Sequence, residues 1–347
     1  MSPVTPHLMP SLVSVVIPNW NGRAYLETCL ASLAAQTHPA LEIIVVDNGS
    51  TDDSVAWLAE HHPATRVLRN TENRGFAAAN NQGLQAARGV YLALLNNDAE
   101  PAPDWLAELV RVMEADARPG MVASRMVFAD RPGVINSTGI CVDLCGISWD
   151  RGGGQPLTAT ELEPTPVFGA CAGAALYRRE LFADIGLFDE DFFAYLEDVD
   201  LAWRARWRGW EAVYAPSAVV RHAHSGTSGE GSPFKTYHLS KNKIFLLAKN
   251  YPWPPLLFYL PLILFYELLS QGYAIVQRRG WSALRGRLAG LRGLAKALAK
   301  RRALRPRRSA SEMMRWLEPV VWPWNVHRRY QHIPERVSPS RPGTSQG

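Results

Sequence analysis

The apolar positions at the start of the chain fall in short runs that stop on polar or acidic side chains. Val13 to Ile17 ends at Pro18, Leu41 to Val46 ends at Asp47, and Tyr91 to Leu95 ends at Asn96, Asn97 and Asp98. Near-continuous apolar runs of this length predict parallel strands buried on both faces. A further strand is expected over Arg66 to Asn70. Between the runs, Tyr25 to Ala35, a segment starting near Val55, and Gly75 to Arg88 predict helices, the second opened by the capping side chains of the Asn48 to Ser54 turn. Strands alternating with helices imply βαβ units, hence an α/β fold with a mostly parallel sheet. Ligands of such sheets bind at the carboxyl ends of the strands. Asn19 with Asn21, Asp47, and Asn96 with Asp98 are therefore expected on one edge.

Beyond Pro119 the pattern loosens. Met121 to Phe168 mixes short strands with glycine-rich loops such as Gly152-Gly153-Gly154, and order returns over Val167 to Tyr177. An aromatic run, Phe192 to Leu196, then leads into the acidic cluster Glu197-Asp198-Val199-Asp200 and a helix expected over Leu201 to Arg208. Trp253 to Val276 is strongly apolar and about long enough to span a bilayer, but Pro254, Pro255, Pro261, Glu267 and Gln271 interrupt it. Those interruptions favour a shallow interfacial hairpin over a simple transmembrane helix.

Composition adds an asymmetry. The net charge is +5, yet Arg278 to Arg308 alone holds twelve Lys and Arg and no acid, leaving about −7 on the remainder. Within that stretch Trp281, Leu284, Leu288, Leu291 and Leu298 recur at helical spacing, with Arg285, Arg292, Lys296 and Lys300 mostly off the stripe and Arg287 as the misfit. This is the pattern of a basic amphipathic helix on an anionic membrane. Packing of the apolar stripe on the catalytic body is the competing expectation. The four cysteines, Cys29, Cys141, Cys145 and Cys171, have no metal-binding spacing and suit a reducing compartment. Met1 to Pro10 has neither a basic nor an apolar region of a secretory signal, so a cytoplasmic location is expected.

The first turn, Pro18-Asn19-Trp20-Asn21-Gly22, lacks the GxGxxG of dinucleotide sites, and no Walker A loop is present. Nicotinamide and P-loop chemistry are thereby disfavoured. Asp98 at a strand end is a hard oxygen donor suited to Mg²⁺ or Mn²⁺, ions that usually arrive with a phosphate. A nucleotide whose diphosphate is held through a metal fits these residues better.

Four segments carry a resemblance: Val15 to Gly22, Val45 to Asp52, Asn73 to Asn80, and Leu95 to Asp98. In this order they resemble the successive signatures of family 2 glycosyltransferases, and within that family the rhamnosyltransferase-like enzymes of cell-surface polysaccharide assembly. The likeness covers roughly residues 12 to 250. It implies an inverting enzyme with the GT-A fold, a Rossmann-like mixed sheet flanked by helices. It further implies that Pro18, Asn19, Asn21, Asp47, Asn73, Arg74, Gly75, Asn96 and Asn97 bind the donor nucleotide. Asn96-Asn97-Asp98 stands where the family has its DxD motif, with Asn in place of the first acid. Asp98 is then the one certain carboxylate ligand of a divalent metal. A histidine completes the metal site in the family, and the run Arg221-His222-Ala223-His224-Ser225 favours His222 over His224. The segments Phe188-Asp189-Glu190 and Glu197-Asp198 look like the acceptor-site pattern. By that likeness Asp198 is the general base and Glu197 positions the acceptor, while Asp200 is read as a helix cap or salt-bridge residue. Asp189 and Lys241 are weaker candidates for acceptor or phosphate contacts. Thymidine-diphosphate rhamnose is the donor favoured by the resemblance.

The expected organisation follows. Residues 1–11 form a flexible N-terminus and 12–250 the catalytic domain, with 12–118 as the nucleotide-sugar half and 119–250 as the acceptor half. Residues 251–308 form C-terminal membrane-associating helices, and 309–347 a Pro/Arg-rich, partly disordered tail. A membrane-bound transferase on the inner face of the cell membrane suits a glycan or polyprenyl-diphosphate-linked acceptor. The alternative is an inactive GT-A-like scaffold that binds membrane or nucleic acid. The acids at 47, 98 and 198, and the absence of interleaved aromatics from Arg278 to Arg308, argue against it.

Overall fold

The structure, a computed structural model, describes residues 10–157, 162–223 and 232–321. Its first part alternates as expected: β1 (Val13–Asn19), α1 (Arg23–Ala34), β2 (Leu41–Asn48), α2 (Ser54–His61), β3 (Arg66–Asn70), α3 (Phe76–Ala86) and β4 (Tyr91–Leu95). Short β5 (Ala99–Pro101) and α4 (Trp105–Ala115) lead to the long β6 (Pro119–Phe128) and its partner β7 (Arg131–Ser137). A hairpin of β8 (Ile140–Val142) and β9 (Ser148–Asp150) precedes β10 (Thr165–Val167), β11 (Ala174–Arg178), α5 (Arg179–Ile185), α6 (Glu197–Arg208) and β12 (Glu211–His222). The main sheet runs β10-β12-β6-β11-β4-β1-β2-β3. β3, β2, β1 and β4 are parallel neighbours, as are β6 and β12, and β11 is inserted antiparallel between β4 and β6.

Alternation of side chains puts Val13, Val15 and Ile17 into one core layer, against α1 and α4, and Val16 into the other, against α3 and α6. Both layers are largely apolar at the sheet, with Ser124 on β6 satisfied by the Trp105 indole N–H at 2.8 Å. The polar residues of each run therefore gather past the strand ends, where β1, β2, β4 and β12 open into one cleft.

Four further helices follow: α7 (Pro233–Asn250), α8 (Trp253–Val276), α9 (Gly280–Arg292) and α10 (Leu294–Ala303), then the short α11 (Ala310–Met314). α8 is one continuous helix, not the hairpin expected from its prolines. Pro254 and Pro255 occupy the first turn, where a missing N–H costs nothing, and only Pro261 lies inside. The polar interruptions are also accounted for. Glu267 pairs with Lys243 at 2.8 Å and with Arg287 at 2.8 Å, and Arg287 also donates to Gln271 at 2.9 Å. The misfit on α9 thus neutralises the misfits on α8.

The packing of α9 departs from the competing expectation that its apolar stripe lies on the catalytic body. Its buried face is Ala283, Gly286 and Gly290, set directly on α7. A Cβ on Gly286 would meet the Tyr237 carbonyl oxygen at 2.3 Å, so only glycine permits this approach. The stripe of Trp281, Leu284, Leu288 and Leu291 is left exposed. Leu298 alone of that set packs inward, in a third core cluster that joins Trp203, Phe245, Tyr251, Ile263 and Ala297.

Candidate active site

The cleft at the strand ends has a volume of about 590 Å³. One wall of the cleft is a lattice of asparagines. Asn19, at the end of β1, donates to Asp47 and to Ser50, both at 3.3 Å, and accepts from Asn97 at 2.8 Å. Asn48 donates to Asn73 at 2.9 Å and accepts from the Arg74 amide at 3.0 Å, while the Gly75 amide donates to Asn73 at 2.9 Å. Amide side chains can donate and accept at once, so the chain turns back on itself here without a glycine-rich loop. Gly22 is required by closeness: an added Cβ would lie 1.9 Å from Asn97 Nδ2 and 2.5 Å from Asn19 Oδ1.

Of the residues expected to bind the donor, Pro18, Asn19, Asn73, Gly75, Asn96 and Asn97 line the cleft. Asp47 stands behind Asn19, and Asn21 accepts from the Thr51 amide at 2.7 Å and so ties the first turn to the second. The Arg74 side chain is exposed outside the cleft, and only its backbone joins the lattice.

At the centre, Asp98 Oδ1 lies 3.0 Å from His222 Nε2. Both are buried, Asp98 just past β4 and His222 on the last residue of β12, which pairs with Ala99. Nδ1 of His222 is 2.9 Å from Asn136 Oδ1, and Asn96 Nδ2 is 3.2 Å from Nε2. Each ring nitrogen faces an oxygen, and a cation bound to Nε2 and Asp98 would leave the ring proton on Nδ1, toward Asn136, the arrangement of a metal-ligating histidine with its supporting partner. One carboxylate and one imidazole suit Mn²⁺ or Mg²⁺ with the remaining positions left to phosphate and water. Among the described residues no three His, Cys, Asp or Glu side chains converge on a metal position. His224 lies outside the described residues.

Across the cleft, α6 begins four residues earlier than expected, so Glu197 and Asp198 sit in its first turn. Negative charge is favoured there by the helix dipole. Asp198 accepts from the Val199 amide at 2.8 Å and the Ala172 amide at 3.2 Å. Burial, reinforced by Asp150, nevertheless raises its carboxyl to about 6. Glu197 is driven up further, by burial and by Asp198 next to it, and its Oε2 has no partner among the described residues. Two adjacent buried acids cannot both ionise cheaply, so burial and their mutual repulsion hold both carboxyls above the usual carboxylate range. Asp200 turns the other way, into the body, where it pairs with Arg204 and Lys249, each at 2.8 Å. The salt-bridge reading of Asp200 therefore agrees with the structure.

Asp189 and Lys241 are not brought to the cleft. Asp189 is paired with Lys249 at 2.6 Å, and Lys241 donates to the Asp191 carbonyl at 2.6 Å. Residues that the sequence did not single out take their place: Asn48, Asn136, Trp149, Asp150, Phe193, Tyr195 and Lys235 all line the cleft. Asn48 had a signal, because it directly follows Asp47 on β2. Asn136, Trp149 and Asp150 come from the irregular stretch, where no local pattern marks a side chain as functional.

The mixed sheet, the cleft at its strand ends and the facing carboxylates define a GT-A transferase of the nucleotide-sugar type. Residues 14–186 match the family model described as Glycosyl transferase family 2. The chain is 29% identical over 279 residues to N-acetylglucosaminyl-diphospho-decaprenol L-rhamnosyltransferase of Mycobacterium tuberculosis, covering 71% of this chain and 87% of that protein. It is 31% identical over 244 residues to the O-antigen biosynthesis protein RfbC of Myxococcus xanthus, covering 66% of this chain but only 18% of that longer protein. Among solved structures, a mannosyltransferase from Pyrobaculum calidifontis in complex with GDP-Man and Mn²⁺ superposes with a TM-score of 0.52 at 23% identity, over 84% of this chain and 78% of that one. The chain belongs to the family 2 glycosyltransferases, of rhamnosyltransferase-like type, and is a glycosyltransferase.

Proposed function

We propose that this enzyme transfers a sugar, rhamnose in the reading its relatives favour, from a nucleoside-diphosphate donor to a lipid-linked or cell-surface glycan, inverting the anomeric centre. One observation carries the proposal: Asp198, held near a pKa of 6, faces the Asp98–His222 pair across a single cleft. The asparagine lattice around Asn19, Asn48, Asn73 and Asn97 would cradle the nucleoside and its ribose. Asp98 and His222 would hold a divalent cation whose charge offsets that of the diphosphate leaving group. Asp198, ionised at neutral pH, would accept the proton of the acceptor hydroxyl, a contribution of about 10²–10⁴ in rate. Glu197, beside it in the first turn of α6, would position the acceptor.

In this reading residues 12–118 serve the donor, 119–250 the acceptor, and 251–308 a membrane surface. Support for the last comes from the outer faces of α8 and α9. Phe258, Leu268 and Val276 are 77%, 72% and 78% exposed, and Trp281 is 69% exposed. Together with Leu257, Leu264 and Leu291 they make an apolar face larger than soluble monomers normally leave uncovered. Exposed Arg278, Arg285 and Arg292 and the half-buried Arg279 border it, which suits anionic lipid head groups. Length and composition alone would let α8 cross a bilayer. Its polar face, tied to α7 and α9 through Glu267, favours a helix lying in the interface. The enzyme would then work at the cytoplasmic face, beside a polyprenyl-diphosphate-linked acceptor.

The test is nucleoside diphosphate release by the purified chain from a panel of sugar nucleotides, with Mn²⁺ or Mg²⁺ and a bacterial lipid extract. Release from one donor that needs both lipid and metal is the expected result. Tight donor binding with lipid-independent or metal-independent release would overturn the acceptor and metal assignments respectively.

A further inference from the structure

The loop that delivers Glu197 and Asp198 is strained. Five non-glycine residues among those described have positive φ, and three of them are Phe193, Tyr195 and Leu196, at 65°, 69° and 66°. Each costs on the order of 1–3 kcal/mol and persists only where surrounding contacts over-determine it. On the donor side the Phe193 carbonyl accepts from the Ala77 amide at 3.1 Å and closes over Gly75. Asn81 on α3 also holds the start of the loop, donating to the Phe188 carbonyl at 2.9 Å and to Glu190 Oε1 at 3.0 Å. Further side-chain restraints come from the C-terminal helices. Asn242 on α7 donates to the carbonyls of Phe192, Ala194 and Tyr195 at 3.0, 2.9 and 2.7 Å. Lys241 and Lys249 hold Asp191 and Asp189 from the same helix. α10 supplies the outer clamp: Lys300 bridges Asp189 and Asp191, the latter at 2.6 Å, and Lys296 reaches Asp191 at 2.5 Å.

We infer that Lys296 and Lys300 are positioning residues for catalysis, pinning the 189–196 loop so that Asp198 meets the acceptor hydroxyl. Half of the basic character that marks this segment as a membrane anchor is thus spoken for differently on α10: these two lysines face the catalytic body. The C-terminal layer completes the acceptor site. The inference rests on Asp198 as the base, but the state of the loop can be read without that assumption.

The experiment uses the full chain with Lys300→Ala, Lys296→Ala/Lys300→Ala and Lys300→Arg, and Arg302→Ala as a same-helix charge control. Arg302 is exposed with no partner among the described residues. Hydrogen–deuterium exchange of amides 190–199 should quicken in the alanine variants and stay as in wild type in Arg302→Ala, with the β2 amides 43–48 unchanged throughout. Transfer kcat should fall by about tenfold to a hundredfold, the scale of a misplaced catalytic group. The nucleoside diphosphate Kd should stay within about twofold of wild type, since the donor wall is untouched, and Lys300→Arg should recover most of the rate. Unchanged exchange and kcat would overturn the inference, as would donor affinity falling in step with kcat. Should the double variant not fold, Asp191→Asn loosens the same clamp from the loop side and must give the same exchange pattern. A wild-type chain that transfers no sugar would defeat the functional proposal instead, leaving the exchange result to decide the clamp.

Discussion

His222 Nδ1 lies 2.9 Å from Asn136 Oδ1 while its Nε2 lies 3.0 Å from Asp98. Asn136 would therefore orient the ring of a metal-bound His222, although it sits 86 residues away in sequence. Asn136→Ala is expected to weaken Mn²⁺ binding by about 10–100-fold, the usual cost of removing such a support. Titration of Mn²⁺ in the presence of nucleoside diphosphate checks this. An unchanged affinity would separate Asn136 from the metal.

The pH profile should report Asp198. Its carboxyl is raised to about 6, so kcat/KM should be level above pH 7 and fall about tenfold per unit below pH 6 as the base takes up a proton. The same shift makes the ionised form a burden on the fold, absent well below pH 4, where the acid is protonated in both folded and unfolded chains, growing as pH rises past the unfolded pKa near 4, and full above pH 6. Asp198→Asn should accordingly abolish transfer, keep donor affinity, and raise Tm at pH 8 relative to wild type but hardly at pH 3. Retention of more than about a tenth of the wild-type rate would remove Asp198 from the base role.

Asp200 should behave in the opposite way. Burial alone would raise its carboxyl, but Lys249 and Arg204 pull it down to about 2. Its contribution to stability is complete above its unfolded pKa near 4 and is lost as pH falls toward 2. Asp200→Ala leaves Lys249 and Arg204 buried with one partner fewer, at a cost of about 3–5 kcal/mol. Urea unfolding at pH 7 and pH 3 measures both effects, and a loss that is equal at the two pH values would contradict the ion-pair account.

The exposed face of α8 and α9 predicts a vesicle-binding phenotype that spares the donor site. Phe258→Glu/Leu268→Glu should reduce sedimentation with anionic vesicles by about tenfold or more, because it puts two charges where apolar burial is expected. Nucleoside diphosphate affinity should not change. Deleting 278–308 is the poorer test, since it also removes the lysines that hold the acceptor loop. Undiminished sedimentation of the double variant would dismiss this face as the membrane contact.

Much of the donor half was legible because its information is local. A buried parallel strand must be apolar along its length, so Asp47 and Asp98 at the stops of such runs announce both the strand and its functional edge. The order of the four motifs then sufficed for the family. The continuous course of α8 was missed because proline reads as a breaker in one dimension, although two of the three prolines fall where a helix has no use for the N–H. Glu267, Gln271 and Arg287 looked like flaws in two separate apolar patterns and became one buried polar contact when α8 met α9.

What the sequence by itself determined was therefore the alternating fold, the sheet edge bearing Asn19, Asp47 and Asp98, and the acidic turn at Glu197 and Asp198. Tertiary structure alone decided that Asn136 meets His222, that Asp150 presses on Asp198, that α9 buries its glycines rather than its leucines, and that Lys296 and Lys300 pair with Asp191 in the loop before α6. The reason is physical. Periodicity records whether a position is buried within its own element, whereas charge pairing, ring orientation and the close approach of two backbones depend on which distant element arrives beside it.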